Sequence, residues 1–105
     1  MSELDEGLYV EDFVERSIIL TANRLQHILK RPEMKGEISK IRKTLKAPDE
    51  VRKSVKYEKV LLFYKFFDKT SVSSKYLAVV VKILNNEGFI ITSYFTDRIK
   101  KCEIV

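Results

Sequence analysis

Tryptophan is missing from these 105 residues, histidine and cysteine occur once each (His27 and Cys102), proline twice and glycine three times. A single cysteine excludes an intramolecular disulfide, and one cysteine with one histidine leaves no thiolate–imidazole spacing for a metal. Three glycines supply no Gly-rich phosphate loop, and no Ser/His/Asp arrangement stands out. No Gly/Ser/Pro-rich stretch marks a linker, so one domain with one core is expected. No window is apolar for long enough to cross a bilayer. The acidic N-terminus lacks the basic-then-apolar order of a secretory signal. A cytoplasmic protein without membrane contact, metal or organic cofactor is the expectation.

What is abundant is positive charge, unevenly placed. Residues 1–15 hold six acidic side chains (Glu3, Asp5, Glu6, Glu11, Asp12, Glu15) and no basic one, against a net charge of +5 for the whole chain. Between Arg24 and Lys59 stand twelve basic and five acidic side chains. A field of that sign concentrates polyanions and accelerates encounter with them, although a soluble cationic surface needs no ligand. Residues 1–15 are expected to be an acidic leader, partly disordered, with 16–105 as the single folded domain.

Helical periodicity comes first and strands follow. Val14–Leu20 is a short apolar run whose periodicity fits an edge strand or a helix tail. Thr21 sits where an N-cap belongs, ahead of a helix with Leu25, Ile28 and Leu29 on one face and Arg24, His27 and Arg31 on another. Pro32 ends it, and Met34, Ile38, Ile41 and Leu45 make the stripe of a second helix that stops at Ala47-Pro48-Asp49. Strands are expected at Val51–Tyr57, Val60–Phe67, Lys75–Leu84 and Phe89–Phe95. The expected fold is therefore α+β, with two N-terminal helices packed on one face of a roughly four-stranded antiparallel sheet. An exposed edge strand could also pair two copies into a homodimer.

Metal-free cleavage of an RNA phosphodiester needs one group to take the 2′-hydroxyl proton, one to protonate the leaving oxygen, and donors for the phosphorane charge. His27 suits proton transfer, and Arg24, Arg31 and Lys82 suit phosphate. Thr92 and Tyr94 can donate hydrogen bonds, and Tyr94 or Tyr64 could stack on a base. Each residue also has a plainer reading: a surface histidine, arginines on a solvated helix face, hydroxyls favoured in strands. Lys82, beside three valines, has the least packing reason to be there. Whether it shares a face with Thr92 and Tyr94 depends on hairpin register; a four-residue loop at Asn85–Gly88 would place it with Ile91 and Ser93 instead.

The order ILTANRLQHILKRPEM, LKAPDEVRKS, VLLFYK, YLAVVVK and FIITSYFTDRIKK resembles the phage-type nuclease domains of the barnase–EndoU–colicin–RelE (BECR) superfamily, from about Ile18 to Lys101. The resemblance implies a metal-independent endoribonuclease, toxin or mobile-element associated, acting on RNA such as tRNA and paired with an inhibitor protein. It implies His27 as general acid or base, Arg24 and Lys82 as phosphate stabilisers, and Thr92 and Tyr94 as orienting donors. Lys30, Arg31, Lys35, Tyr64, Arg98 and Lys100 are the expected nucleic-acid contacts. Arg31 stands where such domains often carry a second histidine. The alternative is a non-catalytic module on the same scaffold that binds nucleic acid or protein.

Overall fold

The computed structural model describes residues 7–73, 75–100 and 103–104. Glu3, Asp5 and Glu6 of the acidic segment, with Ser74, Lys101 and Cys102, lie outside the described residues. Two strands precede the helices: β1 (Leu8–Glu11) and β2 (Ser17–Leu20) form an antiparallel hairpin. There follow α1 (Ala22–Leu29), a 3-10 turn (Pro32–Met34), α2 (Ile38–Lys46), β3 (Glu50–Lys53), β4 (Val60–Phe66), β5 (Tyr76–Leu84), β6 (Glu87–Thr96) and the two-residue β7 (Glu103–Ile104). The strand order is β1-β2-β6-β5-β4-β3-β7. Every pairing is antiparallel except β2 with β6, which run parallel.

This corrects the expectation of two N-terminal helices on a four-stranded antiparallel sheet. The sheet is mixed, with six substantial strands and the short β7, and the helices lie between β2 and β3. The strand β1 lies within the segment expected as a leader. Val10 is its one fully buried residue, while Tyr9 and Glu11 face water, and at four residues it is too short for a clear alternation. The hairpin is held at its turn by Asp12, which is 5 % exposed. Its carboxylate accepts from the amides of Val14 (3.1 Å) and Arg16 (2.8 Å) and from Arg16 Nε (2.7 Å). That network explains why an acidic residue sits buried here: three donors satisfy the charge.

Thr21 caps α1 as its sequence position implies, accepting from the Arg24 amide at 3.2 Å. The helix buries Ile28 against β6, and α2 lays Ile41 and Leu45 on β5 and β4. With Ile18, Leu20, Met34, Phe63, Leu77, Val79 and Val81 these form the main core on one sheet face. Burying a side chain such as Ile28 contributes about 1.5–3 kcal/mol.

The strand β4 is buried on both faces. Leu61 and Phe63 join the main core, whereas Leu62 and Tyr64 turn to the opposite face, where Ala78, Val80, Tyr94 and Ile99 meet them. The β5–β6 turn is the two-residue Asn85-Asn86, both at positive φ (52° and 68°), as a tight hairpin turn requires. Lys82 therefore pairs opposite Phe89, but the register shifts between Val80 and Val81, so that Val80 faces Thr92 and Ala78 faces Tyr94. The extra residue, Ile91, is a β-bulge. It brings Thr92 and Tyr94 onto the same sheet face as Lys82, and sends Ser93 into the core, where its hydroxyl donates to the Ala78 carbonyl at 2.8 Å.

Candidate nucleic-acid interface

The face away from the helices carries a groove of about 550 Å³. Its floor is Val60, Leu62, Val80, Thr92 and Tyr94; Ser54–Tyr57 of the β3–β4 loop form one wall and Lys100 contributes to its lining. A cation reaches this floor from the other side of the sheet. The strand β2 pairs only with Glu87–Phe89 of β6, so beyond Phe89 the flank of β6 is left to the α1 region. Arg31, just past the C-terminal end of α1, reaches this flank. Its Nη1 donates to Thr92 Oγ1 at 3.3 Å, and its guanidinium carbon stands 5.7 Å from the centroid of the Tyr94 ring. Half-buried and held by a hydroxyl and a π-face, it is a cation oriented before any ligand arrives.

The helix residues form a second, shallower depression of about 260 Å³, lined by Asn23, Arg24, Gln26, His27 and Lys30. Arg24, His27 and Lys30 are all exposed there. This depression shares no lining residue with the groove. The link between them is the end of α1: His27 lies in its last turn, and Arg31 follows the Lys30 cap in extended conformation, its amide donating to the Ile28 carbonyl at 3.1 Å.

The structure thus brings Arg31, Thr92 and Tyr94 together, and puts Lys82 on the same face, two residues along β5 from Val80. Lys82 is exposed and pairs opposite Val60, a floor residue of the groove. Tyr64 is fully buried; its hydroxyl accepts from the Lys100 amide at 3.3 Å, and no ring face is left for a base. It anchors the segment after β6 instead. Lys100 lines the groove, Arg98 is exposed two residues before it, and Lys35 is exposed after the 3-10 turn. The partner of Arg31 is 61 positions away, and no local pattern reports that pairing. The groove wall at Ser54–Tyr57 was also hidden, because alternation continues past Lys53 where the strand ends.

Among the described residues no three His, Cys, Asp or Glu side chains gather as a metal-binding group. No described helix is long and apolar enough to cross a membrane.

The family model described as phage-Barnase-EndoU-ColicinE5/D-RelE like nuclease2 matches residues 2–103. It supports the resemblance read from the motifs and also spans the acidic segment and both N-terminal strands. No curated protein and no solved structure matches the chain.

Proposed function

The chain belongs to the phage-Barnase-EndoU-ColicinE5/D-RelE like nuclease2 family, and we propose that it is a metal-independent endoribonuclease whose scissile phosphate binds at Arg31 and Thr92. The observation that carries this reading is the Arg31–Thr92–Tyr94 cluster at the floor of the groove. A guanidinium fork and a hydroxyl are donors matched to a phosphate and to the extra charge of its phosphorane. In the reaction the 2′-oxygen attacks phosphorus and the bond to the 5′-oxygen breaks. The products are a 2′,3′-cyclic phosphate and a 5′-hydroxyl. The 2′-hydroxyl gives up one proton, and the leaving oxygen takes one.

His27, in the last turn of α1 before Arg31, is the group we assign to proton transfer, with Arg24 beside it attracting the strand. Lys82 extends the positive track along the sheet face. Tyr94 orients Arg31 through its ring. RNA, tRNA among the candidates, is the proposed substrate, and the setting is cytoplasmic, as for a toxin or mobile-element nuclease.

One specific observation favours a second reading, a module that binds RNA without cutting it: His27 lies in a depression separate from the groove. The test is cleavage of end-labelled tRNA and single-stranded RNA with EDTA present, beside His27→Ala. Products ending in a 2′,3′-cyclic phosphate, lost in the variant, support the nuclease. Salt-sensitive binding with every RNA intact supports the binding module.

A further inference from the structure

The β3–β4 loop is built to present an aromatic ring over the groove. It is closed by the Ser54 amide donating to the Val60 carbonyl at 2.9 Å. The Ser54 hydroxyl then accepts from the amides of Lys56 (3.2 Å) and Tyr57 (3.1 Å), which fixes the backbone beneath Tyr57. Yet Val55 and Tyr57 are 73 % and 59 % exposed. Folding gives no reason to expose two large apolar side chains on this six-residue loop; such patches mark contact surfaces. Both line the groove that has Thr92 and Tyr94 on its floor. The Lys56 ammonium stands 5.5 Å from the Tyr57 ring centroid, adding charge beside the ring.

We infer that the groove holds an unpaired RNA base, stacked on Tyr57, next to the phosphate bound at Arg31, and that the protein therefore selects single-stranded RNA. The inference rests on the ribonuclease reading above and adds the form of RNA it accepts. The chemistry of the walls fits this occupant. The apolar floor of Leu62 and Val80 suits the plane of a base, while Arg31, Lys56 and Lys100 supply cations for the backbone on either side. A paired base, stacked between its neighbours in a duplex, cannot present its face to Tyr57. Tyr64, the next tyrosine along the chain, is buried and cannot take this role.

The test is fluorescence anisotropy with a 2′-O-methyl RNA decamer, which binds as RNA but cannot be cut, offered as a single strand and as a pre-formed duplex. The expected result is preference for the single strand by the native protein, a loss of about ten-fold in Tyr57→Ala, and near-native affinity in Tyr57→Phe. Duplex affinity should be the same in all three. Single-strand affinity unchanged within two-fold in Tyr57→Ala, or equal binding of both probes, overturns the inference, and does so without touching the ribonuclease reading if cleavage of ordinary RNA persists. No binding of either probe together with no cleavage overturns both.

Discussion

Replacing Arg31 by alanine should separate function from stability by a wide margin. The side chain makes two contacts, a hydrogen bond of 3.3 Å to Thr92 and a ring contact of 5.7 Å to Tyr94. The first is at the long end for such bonds and half-exposed, worth about 0.5 kcal/mol. The second lies near the outer limit for a cation over a ring and adds about 0.5 kcal/mol. Losing both lowers the melting temperature by roughly 4–8 °C. A domain with a stability of about 5–15 kcal/mol stays folded through such a loss. Cleavage should fall far more, by about 10²–10³-fold, because a preoriented donor to the phosphorane is gone. Arg31→Lys keeps the charge without the planar fork and should recover only part of the rate. The assay is thermal unfolding by circular dichroism beside single-turnover cleavage of labelled RNA. A variant that melts as expected but cuts within three-fold of the native rate would refute the reasoning, because the cluster would then be structural.

Other substitutions probe the frame that positions the groove. A Cβ at Gly88 would stand 2.4 Å from Ile18 Cδ1 and 2.8 Å from Val81 Cγ1, so Gly88→Ala should cost about 1–3 kcal/mol by overpacking the parallel β2–β6 seam, read by chemical denaturation. Asp12→Ala leaves the Val14 and Arg16 amides without their acceptor and should cost about 1–3 kcal/mol, seen first as faster amide exchange in β1. Ser93→Ala removes one buried hydroxyl donor to Ala78 and should cost about 0.5–1.5 kcal/mol, with RNA cleavage unchanged because Ser93 faces the core.

The parts of the fold visible in the sequence are those set by local periodicity. The 3.6-residue stripes of Leu25–Ile28 and Ile38–Leu45, the cap at Thr21 and the apolar run of β4 all appear where their residues place them. What stayed hidden depends on contacts distant along the chain. The parallel seam joins Ile18 to Gly88, seventy positions apart, and Arg31 meets Thr92 across sixty-one. The strand β1 was masked by the acidic residues around it, because it is only four residues long and its inward face amounts to Val10 with the half-buried Leu8. The site was half-legible for the same reason. Lys82, Thr92 and Tyr94 share a face only through the Ile91 bulge, which no period-two pattern contains. Exposure separates the two tyrosines that chemistry alone treats as equivalent: Tyr64 is sealed and Tyr57 is open.

The most direct test of the central claim, that RNA binds in the sheet groove at Arg31 and Thr92, is an amide chemical-shift titration with a non-cleavable 2′-O-methyl RNA oligonucleotide. The account predicts the largest shifts at Thr92, Tyr94, Arg31 and the Ser54–Tyr57 loop, with smaller ones at Arg24 and His27. Shifts confined to the Asn23–Lys30 depression, with the groove silent, would contradict it.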